Sequence, residues 1–142
     1  MKLLPFLLFF MPLVAFSQAD TLSLSKEQKQ KAFTVAKNWV SLLTKGKDVN
    51  GILAITTIPF LRDGNETLET HQEVREFYES VIKSKGERTM PPLSASFAKE
   101  IPHSFQGSLV VRVYFTYKGK EQNVFVRLAE ENGVYRVSGF KD

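Results

Sequence analysis

The sequence contains no cysteine among its 142 residues. A chain without a thiol cannot form disulfide bonds and cannot carry the acylated cysteine of a lipoprotein. The stability of this protein must therefore come from the packing of apolar side chains.

A hydrophobic run long enough to cross a membrane is also missing. The N-terminal apolar run, Leu3–Phe16, is shorter than the ~20 residues that a transmembrane helix needs, and two prolines interrupt it. It follows a lysine and ends in small side chains at Ala15 and Ser17, which is the pattern of a secretory signal peptide. We therefore predict a signal peptide over residues 1–17, cleavage before Gln18, and export to the periplasm or the medium without a membrane anchor.

Charge of one sign is scarce as well. The chain has 19 basic and 15 acidic residues, so the loss of Lys2 with the signal peptide leaves 18 basic residues against 15 acidic ones. A net charge of +3 is far from the clustered basicity of a nucleic-acid-binding domain, so no nucleic-acid partner is expected. The remaining ~125 residues suit one domain that buries roughly two thirds of its unfolded surface. We predict a flexible N-terminal tail over residues 18–24 and a single domain over residues 25–142.

Catalytic and metal-binding motifs are hard to find. The sequence has no glycine-rich phosphate loop and no nucleophile elbow. The segment "IPFLRDGNETLETHQE" places Asp63, Glu66, Glu69 and His71 within nine residues, but a metal site needs ligands that converge from a fixed spacing. We interpret this segment as a turn followed by a helix cap, His71 as a residue of the helix start, and His103 as an exposed loop residue. No metal or cofactor is predicted.

Helical periodicity marks three segments. Ser25 and Gln28 form the pattern of a capping box ahead of an amphipathic helix that ends at Gly46, and Asp48 caps a short helix through Ala54. Thr70 begins a third helix, and Gly86 ends it. The apolar stripes that define the two long helices contain Phe33, Ala36, Val40 and Leu43 in the first and Val74, Phe77, Tyr78, Val81 and Ile82 in the other.

Strand patterns occupy the remaining segments. The β-branched run from Ile55 predicts a strand in which Pro59 must lie at an edge, a bulge or the strand end. A turn at residues 63–65 and a brief return strand follow it, and the alternation over Leu93–Ile101 predicts a further strand.

Two turn dipeptides, Lys118-Gly119 and Asn132-Gly133, predict two hairpins in the C-terminal third. With two-residue turns, the numbers of facing residues add to 237 in the first hairpin and 265 in the second. This register places Leu109, Val111, Val113, Phe115, Val124, Val126, Leu128, Tyr135 and Val137 on an inner face, and Val110, Arg112, Tyr114, Phe125, Arg127, Arg136, Ser138 and Phe140 on an outer face.

The chain resembles the nuclear transport factor 2-like superfamily, which is also called the SnoaL-like or cystatin-like cone fold. The likeness rests on the element order, on the helix pair in "VAKNWVSLLTKGKDVNGILAI", on "IPFLRDG" before the third helix, and on the closing strand "GVYRVSGF". It implies an α+β domain in which three helices pack on the concave face of a curved antiparallel sheet of about four to six strands. Members of this superfamily use the space between helices and sheet as an enzyme site, as a binding site, or only as a core.

An enzyme of this type needs a titratable group within reach of its substrate. The predicted inner face of the last three strands has no aspartate and no histidine. The sequence therefore favours a non-catalytic binding or interaction module, and an isomerase or dehydratase with a pocket is the alternative. The candidate pocket residues for a small apolar ligand are Trp39, Phe60, Phe77, Tyr78 and Tyr135.

The outer face mixes arginines with aromatic residues, the types that are enriched in the cores of protein interfaces. It is either a solvated face, in which arginine stems cover neighbouring rings, or the interface of a homodimer. The candidate interface residues are Arg112, Tyr114, Phe125, Arg127, Arg136 and Phe140.

Overall fold

The structure, a computed structural model, describes residues 20–86, 88–89 and 91–142. The predicted signal peptide lies outside the described residues. Three α-helices occur in the described part of the chain: α1 (Lys26–Lys45), α2 (Val49–Ala54) and α3 (His71–Lys85).

The predicted helix boundaries are confirmed by the caps. Ser25 and Gln28 form a capping box at the start of α1, and the backbone N–H of Gly46 donates to the carbonyl of Leu42 at its end. The side chain of Asp48 accepts a hydrogen bond from the backbone N–H of Gly51 in α2, at 2.7 Å. Polar residues at these positions satisfy backbone groups that the helix itself leaves unpaired.

Six strands form one curved sheet of the order β2-β1-β6-β5-β4-β3. The strands are β1 (Thr56–Arg62), β2 (Glu66–Leu68), β3 (Ser94–Phe97), β4 (Leu109–Tyr117), β5 (Lys120–Glu131) and β6 (Val134–Lys141). Four of the five strand pairs are antiparallel, but β1 runs parallel to β6, so the predicted antiparallel sheet is in fact mixed. Pro59 lies between Thr56 and Leu61, where the register of β1 against β6 shifts, which confirms its predicted place at an irregularity.

The first C-terminal hairpin has the predicted register over its whole length, from Leu109↔Leu128 to Tyr117↔Lys120. The second hairpin keeps its predicted register only from Glu131↔Val134 to Leu128↔Val137. Beyond that point Val126 faces Phe140, so a bulge has shifted the end of β6 by one residue.

The bulge at Ser138 corrects the predicted position of Phe140. The Arg127 guanidinium donates from Nε to Ser138 Oγ at 3.0 Å, and the Ser138 hydroxyl is within 3.3 Å of the Arg127 carbonyl. Gly139 then lies so close to β1 that an added Cβ would come within 2.8 Å of the Leu61 carbonyl oxygen. These contacts turn Phe140 from the predicted outer face to the inner face, where its ring lies 5.5 Å from that of Trp39.

The inner face of the sheet packs against the helices. All nine residues predicted for this face belong to the main apolar core. They meet Ala32, Ala36, Trp39 and Val40 from α1 and Val74 and Tyr78 from α3. The helices therefore bury the face that the alternating pattern predicts.

A second, smaller core lies on the outer face. β3 ends at Phe97, short of the predicted Ile101, and the chain then crosses the edge of the sheet. The stretch of residues 98–106, which we call the outer segment, contains a 3₁₀ turn at His103–Phe105. Its apolar side chains pack on the sheet in a cluster that contains Ala98, Ile101, Phe105, Val110, Leu61 and Phe125.

Candidate functional site

An apolar cleft of about 350 Å³ opens between the C-terminal halves of α1 and α3 and the adjoining ends of the sheet strands. We call it the aromatic cleft. Its walls contain Trp39 and Leu43 from α1, Phe77 and Val81 from α3, and Phe115 and Phe140 from the sheet.

Aromatic rings form one continuous wall of this cleft. The rings of Phe77 and Phe140 are nearly parallel, at 13°, with centroids 5.7 Å apart, and Phe140 also contacts Trp39. Phe60 is fully buried behind them, with its centroid 6.1 Å from Phe140. Of the predicted pocket residues, Trp39 and Phe77 thus line the cleft, whereas Phe60 supports it from behind.

Tyr78 has its hydroxyl group in a closed hydrogen-bond network. Trp39 Nε1 donates to Tyr78 Oη at 2.9 Å, and Tyr78 Oη lies 2.7 Å from Thr56 Oγ1. The Thr56 hydroxyl donates to the carbonyl oxygen of Ile52 at 2.7 Å. Burial raises the pKa of Tyr78 to about 12, although both hydrogen bonds oppose that shift. Tyr78 is therefore protonated near neutral pH, and its hydroxyl group fixes the ring of Trp39.

Tyr135 lies apart from the other predicted pocket residues. It lines a shallow groove between the first half of α1 and the tip of the β5–β6 hairpin, together with Val134, Lys31 and Val35. Burial, followed by the negative charge of Glu130, raises the pKa of Tyr135. The sequence pattern identified it correctly as an inner-face residue but did not reveal at which end of the sheet it lies.

Charged residues at the mouth of the aromatic cleft were not among the predicted site residues. Arg62 and Asp63 come from the end of β1 and the following turn, Lys85 from the end of α3, and Asp142 from the residues after β6. Arg62 forms an ion pair with Glu66, and its guanidinium carbon lies 5.5 Å from the centroid of Phe77. Asp63 has the positive φ of 50° that the predicted turn requires. The sequence signal for these charged residues was the position of "RDG" at the end of a predicted strand. It indicates a place at the cleft only when β1 is known to pair with β6.

A second compartment of about 430 Å³ continues from the aromatic cleft. The two spaces share lining residues, among them Leu43, Val81, Lys85 and Phe115. The residues found only in the second compartment are Arg88, Thr89, Tyr117, Gln122 and Asn123. The aromatic wall of Trp39, Phe77 and Phe140 thus lines only the first space, the polar end of the cleft adds Arg88, Gln122 and Asn123, and Lys85 and Asp142 line both.

Asp63, Glu66, Glu69 and His71, which lie within nine residues of the sequence, do not form a metal site. No group of three histidine, aspartate or glutamate side chains that could hold a metal ion occurs within residues 20–86, 88–89 and 91–142. His71 is exposed at the first position of α3, and Thr70 and Glu73 form a capping box at the predicted helix cap. His103 is exposed in the outer segment, with Nδ1 at 2.8 Å from the Gln106 side chain. Neither histidine lines the aromatic cleft.

Side chains of the outer face pack against one another. Arg112 lies 5.4 Å from the ring centroid of Tyr114 and 4.9 Å from that of Phe125, and its Nε donates to Asn123 Oδ1 at 2.9 Å. These contacts are the arginine packing that one alternative predicted for a solvated face.

The outer segment covers another part of this face. Arg127 lies 5.7 Å from the ring centroid of the fully buried Phe105, and burial lowers the pKa of Arg127. Arg136 pairs with Ala129 in the β5–β6 ladder and is half-buried. With Phe140 on the inner face, Arg112, Tyr114, Phe125, Arg127 and Arg136 remain as candidate interface residues, and the homodimer stays a prediction.

Comparison with solved structures identifies the fold. A protein described as a proposed aromatic ring hydroxylase from Novosphingobium aromaticivorans has a TM-score of 0.53 at 13% sequence identity, over 84% of this chain and 90% of that one. Aln2 from a Streptomyces species has a TM-score of 0.51 at 14% identity, over 83% and 91% of the two chains. A domain of unknown function with a cystatin-like fold from Nostoc punctiforme also has a TM-score of 0.51, at 9% identity over 83% and 77%. The chain has the nuclear transport factor 2-like, or cystatin-like, cone fold that the sequence predicted.

Sequence comparison adds no function. No protein-family model matches the chain, and no curated protein matches it. Within the part of the chain that the structure describes, no helix is long and apolar enough to span a bilayer.

Proposed function

We propose that this protein is a non-catalytic binding module that holds a small apolar molecule in the aromatic cleft. The observation that carries the proposal is the continuous wall formed by Trp39, Phe77 and Phe140 around a space of about 350 Å³. Binding pockets for small molecules have volumes of roughly 300–1,000 Å³ and are lined mostly by apolar and aromatic side chains. A rigid aromatic wall also binds a ring or an alkyl chain without first having to become ordered.

The state of Tyr78 supports binding over catalysis. It is the tyrosine next to the cleft, and its hydroxyl group is already satisfied by Trp39 and Thr56. A phenol with a pKa of about 12 is also poorly matched to general acid or base work near neutral pH. The alternative, an isomerase or dehydratase, would need Asp63 or Asp142 at the mouth to act on a ligand held against the aromatic wall.

Trp39 supplies the measurement that tests the proposal. It is the one tryptophan of the sequence, and it lines the cleft, so its fluorescence should report on a ligand there without an added label. We expect saturable changes on titration with the neutral probes dodecanol and 2-naphthol. Val81→Phe should weaken these changes, because Val81 lines both compartments and a phenyl ring there would narrow the space.

The matched control for Val81→Phe is Val134→Phe. Val134 is 49% exposed and lies in the shallow groove with Tyr135, away from the cleft. Val134→Phe should bind both probes as the wild type does. The proposal is wrong if the wild type binds neither probe, or if Val81→Phe binds them unchanged.

We also propose that the module acts after export. The support is the sequence pattern of residues 1–17, which lie outside the described residues. Intact-mass spectrometry of protein recovered outside the cytoplasm should show a chain that begins at Gln18. A chain that retains Met1, or a mass that includes an acyl group, would contradict this proposal.

A further inference from the structure

Cations converge at the polar end of the cleft. Lys85, Arg88 and Tyr117 line the second compartment, and Lys118, which is not a lining residue, contacts the Tyr117 ring. The ring centroid of Tyr117 is 5.5 Å from the Arg88 guanidinium carbon and 5.4 Å from Lys118 Nζ. We call Lys85, Arg88 and Lys118 the cationic rim.

Within residues 20–86, 88–89 and 91–142, the cationic rim forms no ion pair. Among the described residues, no carboxylate forms an ion pair within 4.0 Å of Lys85, Arg88 or Lys118. Asp142 lines the second compartment together with Lys85 and Arg88. Single surface lysines without a partner are ordinary, but positive groups that share one compartment repel one another unless an anion lies between them.

The two ends of the cleft therefore differ in what they can bind. The aromatic end buries apolar surface, and a charged group placed against Trp39 and Phe140 would lose its hydration without gaining a partner. At the mouth of that end, Arg62 is already paired with Glu66, and Lys85, which lines both spaces, shares the mouth with Asp63 and Asp142. The second compartment offers the ammonium group of Lys85, the guanidinium group of Arg88 and the amide of Gln122.

We propose that the natural ligand is an anionic amphiphile, with its apolar body in the aromatic cleft and its carboxylate or similar anionic end at the cationic rim. This inference rests on the proposed function, because it assigns an orientation and a charge to the same ligand. The shared lining residues Leu43, Val81 and Phe115 give the ligand apolar contacts where the two spaces join. The partial exposure of Tyr117, at 37%, leaves the anionic end in contact with water, as its hydration favours.

The test compares probes that have the same body and different ends. Trp39 fluorescence is titrated with dodecanoate, dodecanol and dodecyltrimethylammonium below their micellar concentrations, and with 2-naphthoate against 2-naphthol. Two charge-assisted contacts that are partly exposed correspond to about tenfold in affinity, so each carboxylate should bind about tenfold more tightly than its alcohol. The cationic amphiphile should bind most weakly. Raising the ionic strength should reduce the preference for the carboxylates, since salt screens exposed charges.

The decisive variant is Lys85→Gln combined with Arg88→Gln. It should lower the affinity for dodecanoate about tenfold and leave that for dodecanol unchanged to within about twofold. Lys83→Gln is the matched control, because Lys83 lies on the same helix, is exposed and does not line either compartment. It should leave both affinities unchanged.

The outcomes separate the two proposals. If the alcohols bind as tightly as the carboxylates, or if the double variant weakens both equally, the proposal of an anionic ligand end is wrong. The proposal that the aromatic cleft binds an apolar molecule is then retained. If no probe of either kind binds the wild type, both proposals fail. A preference for dodecanoate over 2-naphthoate would identify the body as an alkyl chain, and the reverse would identify it as a ring.

Discussion

The two faces of the sheet use alternate residues of the same strands, but they are covered in different ways. On the inner face, Val111, Val113 and Val126 pack against long amphipathic helices. On the outer face, Val110 and Phe125 pack against the outer segment, whose one ordered turn is three residues long.

The difference shows which part of a core a sequence can reveal. A helix covers a face with a stripe of side chains at a fixed spacing, so both partners of the inner core carry a visible pattern. The outer segment, "AKEIPHSFQ", covers its face with Ile101 and Phe105, whose helical spacing of four residues is misleading because Pro102 lies between them and only a 3₁₀ turn forms. The sheet side of the outer core could therefore be predicted from the alternation of the strands, whereas the segment that covers it could not.

The largest effect should come from the inner core. Phe60 is fully buried and contacts Trp39, Tyr78 and Phe140. Phe60→Ala should lower the free energy of unfolding by about 4 kcal/mol, through lost burial and the cavity that remains. Chemical denaturation measures it. A loss below about 1.5 kcal/mol would mean that the inner core is less tightly packed than the ring contacts indicate.

The outer core should contribute somewhat less. Phe105 is also fully buried, but it is held by a short segment that can partly collapse onto Arg127. We expect Phe105→Ala to cost about 3 kcal/mol in the same measurement. The neighbouring exposed residue Ser104 is the control, and Ser104→Ala should stay within about 0.5 kcal/mol of the wild type. If Phe105→Ala and Ser104→Ala had the same free energy of unfolding, the outer core would contribute nothing measurable to stability.

A smaller effect is expected at the start of α3, the helix that carries Phe77 and Tyr78 to the inner side. Thr70 Oγ1 accepts a hydrogen bond from the backbone N–H of Glu73 at 3.1 Å. Thr70→Ala should cost about 1 kcal/mol, and His71→Ala should change the stability little. If His71→Ala instead abolished a metal or ligand signal while its melt stayed normal, the interpretation of this stretch as a helix cap would fail.

The smallest effect is a pH dependence from the same cap. The Glu73 carboxylate accepts hydrogen bonds from the backbone N–H groups of Glu69 and Thr70, and these lower the pKa of Glu73 from its ordinary value of 4.5. Because the folded protein has the lower pKa, this stabilisation is fully present above about pH 4.5 and is lost as the pH falls through the folded value. The melting temperatures of Glu73→Gln and the wild type should therefore differ at pH 7 and converge in acid. A difference that persists unchanged to pH 2 would exclude this carboxylate as its source.

The candidate site was partly predictable for a related reason. Trp39 and Phe77 lie on helical stripes, and a stripe that faces the core is visible in a single sequence. Lys85, Arg88 and Asp142 follow no period, and they meet only because α3 ends beside the last strand residues. No spacing rule connects residues 85 and 142. For Tyr135, the sequence predicted the correct face of the sheet, but it did not predict the end of the sheet at which the residue lies.

Local chemistry alone was enough to establish the caps, the two hairpin turns and the α+β class. A cap or a two-residue turn depends on side chains within four positions. The caps and the turn at Ser25, Asp48, Thr70 and Asn132 could therefore be predicted from neighbouring residues alone. The parallel pairing of β1 with β6, the bulge at Ser138 and the outer segment depend on contacts between distant parts of the chain. The bulge shows the physical reason most directly: Gly139 must approach Leu61 across a strand pair, and that approach turns Phe140 into the cleft. Those long-range contacts, rather than any local pattern, placed the aromatic wall beside a second space lined by Lys85 and Arg88.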